Sequence, residues 1–537
     1  MIVQKYSNTM FRLTGKLKVG TQLQSIASQH NKNLSNRSIT EAKPFKSIPG
    51  PRVYPLIGNA YILFQKNKDG EVNSKRQHLM FRDMAAKYGP VFRAKFFGVD
   101  MLVVTDPAIT KEIMLAEGEY PKMPFSSDGY GWYKTLKTEI YPPTGSRGLV
   151  GINGTEWWET RQLFQKDLMR PGASDYYIAG LEDIADEFVS LTHTLLDKKT
   201  NQVPDNFPRL LQLWAAESNV FVFLEKRLDG IKPETINDKT TVNNRMADAV
   251  HVLVEEYLGL RMIMPIWRRW PNLLQAHRKF DEAMTSIHTI SKDYINDKRK
   301  MMEIEKEKGI EKSKKSILEK LFERAAGRPE LEQGIPIFIA EAIPAALESI
   351  AFLVGMVLYH LAIHPEYQQM AYKEITEVIG DRPLGVGDPS KLRFLKACMD
   401  ETLRILPSTR GTEREIQRDT VLGGYHVPKG TKVLMNHMVM MLHSPQPHDF
   451  IPERWLRGSD HPLAGTNPPF GMLSFGHGKR QCIGKRFALK YCTVLLIKMV
   501  KEFHIEYHGE PIGLVSEKST NRADKPLRLK LTRRTNV

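Results

Sequence analysis

The segment SFGHGKRQCIGKRFAL, residues 474–489, holds a cysteine in a glycine-rich turn that leads into a basic, apolar run. A thiolate that ligates a metal needs a backbone that curls around the sulfur and donates N–H groups to it. Gly476, Gly478 and Gly484 allow such a backbone to approach a flat group without a Cβ clash. For Cys482 taken alone, a packing role in a turn before a helix remains the alternative.

The pattern around the cysteine resembles a known family. The haem-binding signature of cytochrome P450 enzymes is matched at every defined position by Phe475-x-x-Gly478-x-Arg480-x-Cys482-x-Gly484. The resemblance implies that Cys482 is the axial thiolate ligand to the iron of haem b. It also implies that Phe475 packs over the sulfur and that Arg480 binds a haem propionate. It extends over nearly all of the chain after Pro49.

Composition narrows the class of protein. The chain has 537 residues, a net charge of +16 and three cysteines. This length allows a large core. Three cysteines are too few for a disulfide framework and indicate a reducing compartment, and Cys398 and Cys492 are expected to pack. The positive charge suits nucleic acid, an anionic membrane or an acidic partner. No nucleic-acid motif occurs, so we expect no nucleic-acid partner.

The resemblance and the periodicity both predict a mainly α fold with a small β region. This is the cytochrome P450 fold, a single large helical domain plus minor antiparallel sheets, over residues 44–537. Strand-like runs occur near residues 90–107 and in TVLGGYHVPKGTKVLM, residues 420–435. Residues 157–406 are mostly helical in pattern, including Asp175–Leu196 and Ala276–Lys300. The charge-dense residues 298–315 predict a solvated helix end and loop, and a last helix is predicted over Lys485–Phe503.

The first 43 residues have the profile of a mitochondrial presequence. They contain seven lysines and arginines against one acid, Glu41, with apolar residues at roughly helical spacing. Arg12, Lys16 and Lys18 interrupt every continuous apolar stretch that could serve as a membrane anchor. A disordered basic tail is the alternative.

Glu401 and Arg404 lie three residues apart in DETLR and so share one helical face. With Arg454 of FIPERW they resemble the family's buried Glu–Arg–Arg network. A lone E-x-x-R is weak evidence because such pairs are common on helix surfaces. The segment before Phe450 is shorter than the family usually has, which indicates either a compact loop or a lost piece.

Three further residues resemble the family's propionate-binding positions. Trp157 and Arg161 in GTEWWETRQLF are four apart on one helix, as in the family's W-x-x-x-R motif. Arg414, downstream of the E-x-x-R helix, falls at another such position. A surface arginine is the alternative for Arg414.

The oxygen-activating helix departs from the family pattern. Relatives usually carry Ala/Gly-Gly-x-Asp/Glu-Thr-Thr, where this chain has AALESI, residues 345–350. Glu348 retains the acid, and Ser349 replaces the usual threonine while keeping a hydroxyl that can orient water. We therefore expect Glu348 and Ser349 to be the catalytic residues. The alternative is that Ser349 merely packs.

The presequence favours the mitochondrial branch, in which an NADPH-dependent reductase and a small acidic [2Fe–2S] ferredoxin deliver electrons. The cations expected to dock the ferredoxin are Lys396, Lys479, Lys485 and Arg486. Relatives carry a second lysine four residues after the first of their docking pair, where this chain has Asp400. Ordinary solvated lysines are the alternative.

These features predict a monooxygenase that hydroxylates an apolar substrate, namely a steroid, sterol or xenobiotic. The substrate is expected to lie under Ala345, Ala346 and residues 125–150. A haem-thiolate isomerase or dehydratase, or a quiet haem-binding carrier, remain alternatives. Residues 258–274 mix apolar and basic side chains and are expected to rest on the matrix side of the inner mitochondrial membrane, or else to form a buried turn.

Overall fold

A computed structural model describes residues 39–96, 99–262, 270, 274–310, 312, 314–516 and 520–534. Its α-helices, numbered in chain order, are α1 Gln77–Tyr88, α2 Pro107–Leu115, α3 Pro124–Ser126, α4 Trp132–Leu136, α5 Gly154–Leu168, α6 Ile178–Leu195, α7 Phe207–Leu224, α8 Val242–Met262, α9 Gln275–Glu307, α10 Ile317–Ala325, α11 Pro329–Glu332, α12 Gly334–Ile363, α13 Pro365–Ile379, α14 Asp388–Lys391, α15 Arg393–Ile405, α16 His437–Met440 and α17 Lys485–Glu502. The strands are β1 Val91–Phe96, β2 Val99–Val104, β3 Gly411–Glu415, β4 Thr420–Leu422, β5 Tyr425–Val427, β6 Lys432–Asn436, β7 Phe503–Tyr507, β8 Leu514–Val515, β9 Arg522–Ala523 and β10 Leu529–Arg533.

The predicted mainly α fold with small sheets is confirmed. The largest sheet has the order β1-β2-β6-β3, with β1–β2 and β6–β3 antiparallel. β2 and β6 are parallel, with Leu102 opposite Val433. Most of the helical body lies between these two strands in the chain, and a parallel pair requires such a long crossover connection. The other strand pairs of the described residues are antiparallel.

The central element is α12, which packs against α7, α8, α9, α13, α15 and α17. Residues 329–363 are long and apolar enough to cross a membrane by length and composition alone, but most of the apolar window is buried inside the protein. A helix that is apolar all round is typical of the core of a large domain. One face of α12 differs, because Ala342, Ala345, Ala346 and Ser349 keep accessible surface. These residues recur at helical spacing and mark where α12 borders open interior space.

The predicted helices occur with small shifts at their ends. Asp175–Leu196 is a 3₁₀ turn followed by α6, and α17 ends one residue before the predicted Phe503. α9 continues past Lys300 to Glu307, into the charge-dense stretch. Ion pairs support this extension, since Lys312 Nζ lies 2.8 Å from a carboxylate oxygen of Glu305 at its end.

Two predictions fall mainly outside the described residues. Residues 1–43, the predicted presequence, are described only from residue 39 onward. The predicted membrane-facing stretch, residues 258–274, is described only in the backbone of the last turn of α8 and at residues 270 and 274.

Candidate active site

The cysteine turn has the predicted shape. The N–H of Cys482 donates to the carbonyl oxygen of Phe475 at 2.8 Å, which closes the turn. Gly476 and Gly478 both have a φ of 68°, in the left-handed region that strains any side chain. Gly484 immediately precedes α17, so the sulfur lies near the positive end of that helix.

The thiol of Cys482 lies deep among protein atoms and yet keeps accessible surface, so it faces interior space. Burial raises its pKa, whereas the N–H groups of Gly484 and Lys485 and the charge of Arg161 lower it. The balance leaves the pKa above its ordinary value, which keeps the unliganded side chain protonated at neutral pH. A metal cation would replace that proton, because coordination deprotonates a thiol outright. The donor set therefore fits a thiolate ligand.

Trp157 and Arg480 meet beside this turn, a contact that the sequence did not predict. Trp157 is almost fully buried, and the guanidinium carbon of Arg480 lies 3.5 Å from the centre of its indole ring. Arg480 also donates to the carbonyl oxygens of Pro121 at 2.7 Å and Ile152 at 3.0 Å. The planar guanidinium is thereby fixed in one orientation.

Two buried arginines, Arg161 and Arg414, and the half-buried Arg480 surround the turn without enough carboxylates to balance them. Arg161 donates to the carbonyl oxygen of Gln481 at 2.7 Å, one residue before the cysteine. Burial lowers the pKa of Arg161 to about 10. Burial, and after it the charges of Arg414 and Arg161, lower the pKa of Arg480 to about 9. A ligand with two carboxylates, such as haem, would relieve this repulsion.

Arg414 supplies an unused donor to the same region. It bonds through Nε to the carboxylate of Glu117 and through Nη1 to the carbonyl oxygen of Glu413 at 2.7 Å. Its Nη2 is buried and makes no hydrogen bond within the described residues. A buried guanidinium nitrogen without a partner is costly, so this atom is suited to a propionate oxygen. The alternative of a surface arginine is wrong, because the Arg414 side chain is only 3% exposed.

Glu117 was missed by the sequence reasoning. It follows α2, contacts Arg414, and lies so close to Gly478 that a Cβ there would sit 2.9 Å from its Oε2. Burial raises the pKa of Glu117, against the opposing charge of Arg414. No local signal marks this residue, because its partner is nearly 300 positions away in the chain.

The predicted Glu–Arg–Arg network is present and fully buried. Glu401 accepts from Arg404 at 2.8 Å twice, from Arg454 at 3.1 Å, from the Ile451 N–H at 3.0 Å and from Trp455 Nε1 at 2.9 Å. Although burial raises the pKa of Glu401, the bonds and charges of its partners bring it below the ordinary value. The network therefore holds an ionised carboxylate.

The short segment before Phe450 closes onto this network. Arg404 donates to the carbonyl oxygens of Pro447 at 2.5 Å and Asp449 at 3.1 Å, and Arg454 donates to that of Gln446 at 2.6 Å. The compact loop thus satisfies donors that would otherwise be buried without partners.

The two predicted catalytic residues point to different partners. Ser349 Oγ bonds to the carbonyl oxygens of Ala345 and Ala346, each at 3.1 Å, on the accessible face of α12. Glu348, about 100° away around the helix, faces α7 and α8. Its Oε1 accepts from Gln212 Nε2 at 3.1 Å and lies 3.9 Å from Nδ1 of the half-exposed His251.

The predicted docking cations differ in their contacts, because one pairs with a carboxylate and the others contact backbone carbonyl oxygens or aromatic rings. Lys396 is paired with Asp400, the residue that stands in place of the second lysine. Lys479 donates to the Glu119 carbonyl oxygen at 2.8 Å and lies over the ring of Trp158. Lys485 and Arg486 begin α17: the former lies 5.4 Å from the Phe475 ring centre, and the latter donates to the Met169 carbonyl oxygen.

The chain is similar to known proteins of one family. A family model described as cytochrome P450 matches residues 48–531. The chain is 29% identical over 510 residues to the probable cytochrome P450 49a1 of Drosophila melanogaster, covering 92% of this chain and 83% of that protein. It is 26% identical to the probable mitochondrial cytochrome P450 12a5 of the same species, with 92% and 91% covered. It is also 26% identical to the mitochondrial 1,25-dihydroxyvitamin D(3) 24-hydroxylase of Rattus norvegicus, with 88% and 87% covered. Because the family model spans nearly the whole chain, the protein belongs to the cytochrome P450 family and is a monooxygenase of the oxidoreductase class.

Proposed function

We propose that this protein is a haem-thiolate monooxygenase that hydroxylates an apolar substrate, a steroid, sterol or xenobiotic, and that the thiolate of Cys482 would hold the haem iron. The observation that carries the proposal is the cysteine turn surrounded by Arg161, Arg414 and Arg480, of which Arg414 keeps a buried donor with no partner among the described residues. When bound, haem supplies the iron that binds and activates O₂, with the thiolate favouring O–O cleavage.

Two groups of side chains would hold the cofactor: one group surrounds the sulfur of Cys482, and the other would bind the haem carboxylates. The N–H groups at the start of α17 would stabilise the ligated thiolate of Cys482. Phe475 would shield it from water. Arg161, Arg414 and Arg480 would bind the propionates, with Trp157 orienting Arg480 through ring contact.

The proton-handling residues lie on α12. Ser349 presents a hydroxyl on the accessible face, where it could hold a proton or a water molecule. Glu348 is buried and bonded to Gln212, and the half-exposed His251 gives its carboxylate a route toward solvent. Glu348 would thus supply protons from the α7–α8 side, while Ser349 would orient water on the accessible face of α12.

The electron source is proposed to be a [2Fe–2S] ferredoxin reduced by its NADPH-dependent reductase. Mitochondrial relatives of this family depend on ferredoxin in general, and several relatives of this chain are named mitochondrial. Lys479, Lys485 and Arg486 surround the cysteine turn and suit an acidic partner. Lys396 is the weakest of the proposed docking residues, because Asp400 neutralises it.

The relatives' names support a mitochondrial location. We propose further that residues 1–43 are an import presequence, that residues 44–537 form the catalytic domain, and that the protein lies peripherally on the matrix side of the inner membrane. Residues 258–274 would supply the membrane contact.

The test is the spectrum of the reduced, carbon-monoxide-bound protein. Thiolate ligation gives a Soret band at about 450 nm, which Cys482→Ser must abolish and Cys492→Ser, a matched change at a buried cysteine, must leave. Ferredoxin-dependent NADPH consumption coupled to product then separates a monooxygenase from an isomerase, a dehydratase or a quiet carrier. The same thiolate band in Cys482→Ser, or no porphyrin in the wild type, overturns the proposal.

A further inference from the structure

Residues 121–153 form a continuous segment, here called the strap, that runs between the cysteine turn and α12, and the space between these two elements is the proposed substrate pocket. Its two ends meet beside the cysteine turn. Arg480 donates to the carbonyl oxygens of Pro121 and Ile152 and, at 2.7 Å, to Oδ1 of Asn153. The same Oδ1 accepts from the Met123 N–H at 3.0 Å.

The middle of the strap is fixed to α12 by a charged pair. Lys134, fully buried, forms an ion pair with Glu341 and donates to the carbonyl oxygen of Arg147 at 2.5 Å. The other oxygen of Glu341 accepts from the N–H groups of Leu149 at 2.9 Å and Val150 at 3.1 Å. A carboxylate of α12 is thus enclosed on one side by strap backbone and on the other by a strap lysine.

The strap is shaped to receive this carboxylate. A Cβ on Gly148 would lie 2.5 Å from Glu341 Oε2, and Gly148 has a φ of 86°, so no other residue fits without strain. The rings of Tyr130 and Tyr141 lie 4.7 Å and 5.2 Å from Lys134 Nζ and shield the charge further.

The ion pair of Lys134 and Glu341 lies between the cysteine turn and the accessible face of α12. Glu341 directly precedes Ala342, the first residue of the accessible face of α12, and the strap ends lie at the cysteine turn. The strap therefore crosses from the proposed ligand cysteine to the proposed oxygen-activating face. Buried ion pairs add little net stability over apolar residues of similar size, but they fix one arrangement of the parts they join.

We propose that Lys134 and Glu341 are specificity-determining positioning residues. By holding the strap against α12, they limit the size of the ligand that enters the pocket. The inference rests on the proposed haem-thiolate function. Release of the pair lets the strap open, so a bulky ligand gains entry more than a small one.

The test compares Lys134→Met/Glu341→Met with wild type. An apolar replacement of a buried pair is often neutral for stability, so the double variant should fold. Lys498→Met is the matched control, since Lys498 pairs with Glu182 at 2.7 Å to join α17 and α6, away from the strap. The probes are imidazole and clotrimazole, which bind haem iron and differ in bulk.

The association rate of clotrimazole should rise by about tenfold in the double variant, while that of imidazole changes by less than about twofold, because only the bulky probe needs the opened state. Backbone amides of residues 145–151 should exchange faster with deuterium in the double variant and not in Lys498→Met. The inference is overturned if the folded double variant shows the wild-type ratio of clotrimazole to imidazole association rates and the wild-type deuterium exchange of residues 145–151.

If the double variant does not fold, the same association rates and deuterium exchange are measured on Glu341→Gln, which keeps the shape of the side chain. The exchange measurement needs no haem. A wild type without the thiolate spectrum would thus overturn the proposed function, while slow exchange of residues 145–151 that persists in the variants would overturn this inference separately.

Discussion

Replacement of Glu401 by Gln tests the charge balance of the buried network. The carboxylate is fully buried and accepts five hydrogen bonds, three of them from Arg404 and Arg454, whose side chains are also buried. Gln keeps one oxygen, which in the Oε1 position can still accept from Arg404 Nη2, Arg454 and Ile451. Its amide group would face the donors of Arg404 and Trp455, and one negative charge would be lost opposite two guanidinium groups.

The size of the effect follows from these contacts. A hydrogen bond to a charged group contributes ~1.5–3 kcal/mol, and two of the five are lost. Leaving a buried charge without its partner costs ~3–5 kcal/mol. This cost and the lost hydrogen bonds are two descriptions of the same loss, so they are not added together. We therefore expect Glu401→Gln to lower the free energy of unfolding by ~3–5 kcal/mol, a large part of the usual ~5–15 kcal/mol margin.

The assay is guanidinium unfolding followed by far-UV circular dichroism at pH 7, with the midpoint and slope compared between variants. Glu377→Gln is the matched control, because Glu377 is largely exposed and pairs with Lys373 at 3.8 Å. The control should unfold within ~0.5 kcal/mol of wild type. If Glu401→Gln also unfolds within ~1 kcal/mol of wild type, the network does not depend on this charge and the reasoning is wrong.

Three further outcomes are expected. Arg414→Met removes the donor that has no partner among the described residues, so it should speed haem transfer to apomyoglobin and shift the reduction potential. Arg418→Met, the control, should change neither quantity. Equal transfer rates in the two variants would contradict the assignment of Arg414 to a propionate. Burial raises the pKa of Glu319, but its bonds from Lys312, the Ser316 N–H and Lys298 bring the pKa to about 2. The stability that ionised Glu319 contributes to the fold is present above its ordinary pKa and is lost as pH falls toward 2. Glu319→Gln should therefore make the free energy of unfolding depend less on pH in that range. Asp400→Asn should free Lys396 and lower the KM for ferredoxin at low ionic strength, with kcat unchanged; a KM that does not move would exclude Lys396 from docking.

The paired state of Lys396 bears on partner recognition. An exposed lysine that forms an i, i+4 ion pair presents little net charge to a partner. Lys479 and Arg486 bond only to backbone carbonyl oxygens among the contacts described, so their charges are not neutralised by an acid there. Docking should therefore depend more on the cysteine turn and the start of α17 than on α15.

The sequence by itself determined the family and pointed to Cys482 as the proposed ligand, since the turn at Cys482 and the pair Glu401 and Arg404 depend on spacing within one local element. Helix positions followed for the same reason, because apolar periodicity is local. Only the tertiary structure decided the contacts between distant segments. Glu117 with Arg414 and Lys134 with Glu341 are each about 200 or more positions apart, and no periodicity links them. Their pairing arises because burial of charge forces each group to find whichever partner the packing of helices and sheet brings within reach.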